Sequence, residues 1–132
     1  MVDQNDLMTI STEKRQDLRG RTRIFAKRVR DFVRKLPNSS VTQEYGRQLL
    51  RSSGSVAANY NEAFYAFSRP EFVYRIKITR KESNESLIWL ELLEIGLQQP
   101  LEAERKQLII EANELMSIFT SIAKKVDRVR TS

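Results

Sequence analysis

At 132 residues the chain is sized for one domain with a real core, and its 30% charged and 40% apolar residues exclude a charge-disordered tail and a membrane bundle. It has no Cys and no His, which removes disulfides, thiolate metal sites, the commonest general base and the commonest zinc ligand. Of the net charge of +6, residues 14–35 hold ten Lys and Arg against two Asp, so that segment is +8 and the remainder −2.

Four Gly and three Pro are too few for a turn-dense all-β chain. The first six residues are acidic and lack the basic stretch and apolar run of a secretory signal, which predicts a cytoplasmic protein with residues 1–12 as a flexible lead-in. The longest wholly apolar run, Leu87 to Leu90, falls far short of the roughly 20 residues that span a bilayer.

Apolar residues recur at alternating steps of four and three, the spacing that places them on one face of a helix. Leu18, Thr22, Phe25, Val29, Phe32 and Leu36 predict a first helix over 14–36, stopped by Pro37 and Asn38. Ser40, with Gln43 three residues on, reads as the N-cap of a second helix over 41–66. Its inward face is Tyr45, Leu49, Ser52, Val56, Asn59 or Tyr60, Ala63 and Phe67. The small residues Ser52 to Ala58 would let a neighbouring backbone approach, and a tight crossing at Gly54 would offset the roughly 1 kcal/mol that glycine costs a helix. Ser68 and Glu71 form a capping box around Pro70 and start a third helix over 69–97. Leu108, Ala112, Leu115, Phe119, Ile122, Val126 and Val129 predict a fourth helix over 101–129. Long amphipathic helices joined by short links must lie antiparallel, so the expected fold is an all-α, up-down-up-down four-helix bundle, one domain over 1–132.

From Leu87 to Leu97 the third helix is apolar nearly all round, more than three neighbours can cover. A second copy of the chain is the expected cover, with Ile88, Trp89, Leu92 and Ile95 as contact candidates in a closed homo-oligomer. The competing reading tucks Trp89 and Ile95 under a neighbouring helix of the same chain.

Arg19, Arg23, Lys27, Arg30 and Arg34 recur at steps of four, four, three and four on the side of the first helix away from Phe25. Repeated on several subunits, this stripe would hold phosphates without reading sequence, which suggests RNA or DNA as partner. The bland alternative is a solvated face, with Arg21 and Arg28 of a second stripe, which Lys35 continues, paired to acids on an adjoining helix or subunit. Aromatic platforms would favour single strands, but the aromatics sit mostly at core spacing; Tyr65 and Tyr74 are the exceptions, and bundle packing is the first expectation for each over a base platform.

Three Glu-x-x-Glu pairs, at 82 and 85, 91 and 94, and 111 and 114, aim two carboxylates from one face and could hold magnesium, as in all-α nucleotide pyrophosphohydrolases. The same spacing is common on any solvated helix, and no Asp or Lys cluster completes a phosphate site. A di-iron bundle needs Glu-x-x-His, which this chain cannot make. No catalytic residue, metal or cofactor is therefore expected. Arg51, Asn59 and Glu62 interrupt apolar positions of the second helix and are read as register-setting polar residues, with Glu82 or Lys81 as partners on the third, or as a polar patch at the seam between subunits.

The run Gln48-Leu-Leu-Arg-Ser-Ser-Gly-Ser-Val-Ala-Ala-Asn-Tyr-Asn-Glu-Ala63 resembles the signature of bacterial four-helix proteins related to the 23S rRNA intervening-sequence protein. Ser68-Arg-Pro-Glu-Phe72 and Lys81-Glu-Ser-Asn-Glu-Ser-Leu-Ile-Trp-Leu-Glu-Leu-Leu93 extend the resemblance to about residues 18–125. Ala63 stands where many members have Gly. The resemblance implies a subunit of a homopentameric ring, kin to the basic accessory variability determinant of diversity-generating retroelements, which works with a reverse transcriptase and nucleic acid. It brings no catalytic residues. The expected function is that of a non-enzymatic, nucleic-acid-associated oligomer, with a protein-binding adaptor as the alternative.

Overall fold

The four-three spacing winds into four helices: α1 (Thr12–Arg34), α2 (Ser40–Phe64), α3 (Arg69–Leu92) and α4 (Gln99–Thr131). The structure, a computed structural model, describes residues 12–96 and 99–131, with side chains at 17–96 and 99–127. Of the expected lead-in only Thr12 is described, and it already opens α1; Leu97 and the side chain of Val129 also lie outside the described residues. Among the described residues no helix is long and apolar enough to cross a membrane.

Pairs between helices fix the topology. Arg21 bonds Glu111 and Arg28 bonds Glu104, so α1 and α4 run in opposite directions. Arg23 meets Asn61 across α1 and α2, Ser52 meets Ser86 across α2 and α3, and Lys77 faces Asp127 across α3 and α4. The helices form a closed square in which each packs on the next and α4 returns to α1. This is the expected antiparallel bundle. Phe25, Val29 and Phe32 of α1, Leu49, Val56 and Tyr60 of α2, Phe72, Ile76 and Leu90 of α3 and Leu108, Leu115 and Phe119 of α4 meet at its centre, each at most 1% exposed. Burying such a side chain contributes about 1.5–3 kcal/mol, which is why the spacing dominates the fold.

The helix ends depart from the spacing. After Arg34 the chain tightens, with Lys35 and Leu36 bonding back three residues to Phe32 and Val33. The N-cap of α2 is Ser39, not Ser40: its hydroxyl accepts from the Thr42 N–H. Ser68 caps α3 as expected, but the Glu71 carboxylate reaches past it to accept from the Phe67 N–H. α2 stops at Phe64, so Phe67 is not on its inward face and is 77% exposed.

The largest departure is at the end of α3, which stops at Leu92 rather than 97. Leu93 turns extended, and in that backbone alternate residues face one way. Leu93 and Ile95 drop into the core, Glu94 between them faces water, and Gly96 at φ 67° turns the chain toward α4. Arg105 of α4 donates to the Leu90 carbonyl, satisfying one of the acceptors left free at this helix end.

Among the described residues of the chain no helix crosses at Gly54, where an added Cβ would meet nothing within 4 Å. The close approach that the small residues permit lies on the Ser52 side instead. Ser52 and Ser86 are fully buried and bonded to each other across α2 and α3, and the fully buried Ser83 and Ser86 bond carbonyls of the preceding turn of α3. With methylene-sized side chains at the seam and every hydroxyl satisfied, α2 and α3 form the most extensive helix pair of the bundle.

Candidate nucleic-acid interface

The helical pitch divides by direction the cations of α1 whose side chains are described. Arg21 and Arg28 lean toward α4. Arg21 holds Glu111 through both nitrogens at 2.9 and 2.7 Å and Glu114 at 3.1 Å, and the Glu111 hydrogen bond raises its pKa further. Arg28 reaches Glu104 at 3.0 Å. This second stripe is structural, pinning α1 to α4.

Arg19, Arg23, Lys27, Arg30 and Arg34 lie on the α2 side of the outer surface. Arg19 is half-buried: its guanidinium lies over Phe64 at 4.5 Å and Tyr65 at 5.1 Å, and its Nε is buried without a hydrogen-bond partner among the described residues. Arg23 donates to the Asn61 side chain at 3.0 Å. Lys27 is exposed, and Arg30 and Arg34 share one acid, Asp31, at 3.1 and 3.6 Å. Arg23, Lys27, Arg30 and Arg34 therefore present a net positive rail about 17 Å long to solvent, at 1.5 Å per residue.

Beside the rail runs a low strip of α2. Gly46, Leu50, Gly54, Ala57, Asn61 and Tyr65 recur at steps of four, four, three, four and four. The strip faces α1 at both ends, where Gly46 lies against Val33 and Leu36 and Asn61 takes the Arg23 bond. In its middle, Gly54 and Ala57 raise nothing above the helix backbone that would block approach to the cations. Arg47 at the far end is paired with Glu44 at 3.4 Å and adds no net charge.

Of the register residues, Arg51 reaches Glu82 at 3.3 Å and also bonds Glu85. Burial pushes the Glu85 carboxyl up, but hydrogen bonds from Arg51 and Trp89 outweigh it and hold it below the usual carboxylate range. Asn59 accepts from Arg75 at 2.9 Å. Glu62 does not join them: it is exposed and meets no partner among the described residues. It lies two residues past the seam-facing positions, which turns it about 200° from Tyr60. Two of the three Glu-x-x-Glu pairs thus bind arginine, 82 and 85 through Arg51 and 111 and 114 through Arg21. Among the described residues no group of three or more acidic side chains is placed to hold a metal.

The four contact candidates separate. Ile95 is 3% exposed within its own chain, because α3 ends before it, and is withdrawn from the outer face. Trp89 is half-buried against Tyr45, ring centroids 5.5 Å apart, and donates to Glu85 at 3.3 Å. Ile88 and Leu92 are 44% and 47% exposed, on the outer surface of α3. Tyr65 and Tyr74, expected to pack in the bundle, are both more than half exposed, Tyr65 because it is the C-cap of α2 rather than part of its inner stripe. Sequence spacing missed Phe67 for the same reason.

A crystal structure of a protein of unknown function from the S23 ribosomal protein family of Bacteroides thetaiotaomicron VPI-5482 superposes with a TM-score of 0.69. It is 31% identical, and the match covers 84% of this chain and 98% of that one. Comparison with curated proteins finds no match. Residues 14–121 match the 23S rRNA-intervening sequence protein family, and the chain belongs to that family.

Proposed function

We propose that this protein is a non-enzymatic, self-associating bundle that binds RNA or DNA without reading sequence, through the outer face of α1 and α2. The observation that carries the reading is the rail: Arg23, Lys27, Arg30 and Arg34 are turned outward with one acid, Asp31, among them. The structural cations Arg21 and Arg28 occupy a different side of the same helix, so the rail is free of the ion pairs that hold the bundle. Phosphate contacts of this kind position a polymer and carry no base information.

Exposed Ile88 and Leu92 support self-association on α3, and the family resemblance suggests five copies in a ring. Arginines engage Glu82, Glu85, Glu111 and Glu114, and α3 ends between Glu91 and Glu94, which favours the non-enzymatic reading over the magnesium alternative. A mobility-shift titration with unrelated RNA and DNA sequences tests the reading. Four cations on a single strand give a log–log salt slope of about −3, or a roughly 50-fold loss in affinity between 50 and 200 mM salt. No shift at micromolar protein in low salt refutes it. The adaptor alternative predicts a protein partner that survives nuclease treatment in a pull-down, with no salt-sensitive nucleic-acid binding.

A further inference from the structure

Phe67 stands one residue before the N-cap Ser68, where an apolar side chain ordinarily folds back onto the fourth helical residue. That residue is Phe72, which is 1% exposed in the core. Phe67 instead leaves 77% of its surface in water, more than any other large apolar side chain described. Its backbone is nonetheless held, since its N–H donates to the Glu71 carboxylate at 3.0 Å. Two residues earlier the C-cap Tyr65 is 57% exposed, its ring edge-on to Phe64 and flanked by Arg19. Tyr65 thus stands beside Arg19 at one end of the rail, and the solvent-facing ring of Phe67 follows two residues on, along the hydrogen-bonded turn into α3.

We infer that Tyr65 and Phe67 form a base-stacking platform and that the ligand of this face is a single-stranded nucleic acid. Unpaired bases lie on the two rings while Arg23, Lys27, Arg30 and Arg34 hold the phosphates. This rests on the reading of the rail as a phosphate-binding surface. A duplex keeps its base faces inside its own stack, so a ring outside it meets no π-face; a single strand offers every base. The low strip at Gly54 and Ala57 lets the sugar–phosphate chain lie close beside the cations. A second copy meeting this face with the same face would bring its own cations toward these and be repelled, and a contact with a different face of a second copy is an outcome of the test.

The test is fluorescence anisotropy at low salt with a uridine dodecamer, oligo(dU) of the same length and an RNA duplex. Phe67→Ala is expected to weaken single-strand binding about tenfold while leaving the salt slope and the duplex affinity unchanged. Phe67→Trp is expected to restore it. Lys27→Ala with Arg30→Ala weakens every ligand and flattens the salt slope. A loss on either single strand supports the platform, and the strand that shows it identifies the preferred sugar. Unchanged single-strand affinity in Phe67→Ala, with the charge variant still impaired, overturns the platform and keeps the rail. Failure of the unmodified protein to bind any ligand removes both. A lower particle mass for Phe67→Ala in light scattering assigns the ring to a contact between copies and overturns the platform.

Discussion

The orientation of the rail depends on how α1 is pinned to α4, the least extensive of the four neighbouring pairs. Two ion pairs cross that seam, and their geometry predicts unequal strengths. Arg21 and Glu111 are 28% and 16% exposed at their side chains and joined by two parallel bonds of 2.9 and 2.7 Å. Unit charges about 4 Å apart attract by about 4 kcal/mol at an effective dielectric of 20. Desolvation and the ordering of two long side chains remove more than half of that, leaving a coupling of about 1–2 kcal/mol. Arg28 and Glu104 are 38% and 40% exposed and meet through a single carboxylate oxygen, so solvent screening reduces their coupling to about 0.2–0.5 kcal/mol. Double-mutant cycles with Arg21→Met and Glu111→Gln, and with Arg28→Met and Glu104→Gln, measure both by chemical denaturation. Protein concentration is held fixed, because self-association would add its own stability. A coupling below about 0.5 kcal/mol for Arg21 and Glu111, or one no larger than that of Arg28 and Glu104, refutes the assignment of the seam to partial burial of its charges.

Gly54→Ala is expected to raise stability by about 0.5–1 kcal/mol, since it restores helix propensity where nothing lies within 4 Å. Gly46→Ala is expected to be near neutral, because its Cβ would press on Leu36 Cδ1 at 3.3 Å and Val33 Cγ1 at 3.4 Å; denaturant midpoints compare the two. The depressed carboxyl of Glu85 contributes stability that is fully present above its unfolded value near about 4.3 and lost as pH falls through the lower folded value. Arg51→Met should therefore flatten the acid limb of a stability–pH curve, and an unchanged limb would contradict the pairing. Ile88→Asp with Leu92→Asp is expected to lower the particle mass in light scattering at unchanged helix content; an unchanged mass places self-association elsewhere.

The four-three spacing made the bundle legible because burial of one stripe per helix is a large and regular term. Phe25, Leu49, Ile76 and Phe119 fall in the core where the period puts them. Helix ends were harder to read, since a cap is one hydrogen bond against an apolar period that continues through it. Ser39 and Ser40 offer the same hydroxyl, and only backbone geometry selects Ser39. Leu93 and Ile95 satisfy both a helical and an extended pattern, so the apolar surplus of the third helix looked larger than it is. The rail was visible as a stripe of like charge. Its separation from Arg21 and Arg28 was legible as angle, whereas the exposure of Tyr65 and Phe67 required knowing that α2 stops at Phe64.

The square arrangement of helices places the two proposed surfaces on opposite sides. Ile88 and Leu92 continue the stripe of Lys81 and Asn84, which lines the groove between α3 and α4 with Met116 and Thr120. The rail lies between α1 and α2, across the bundle from that groove. Copies joined through α3 would thus turn their rails outward and bury none of the cations. Each added copy would contribute another rail to one polymer, and avidity would follow from linked sites rather than from new contacts. Loss of self-association through Ile88 and Leu92 should then weaken binding to long single strands far more than to a dodecamer short enough to occupy one rail.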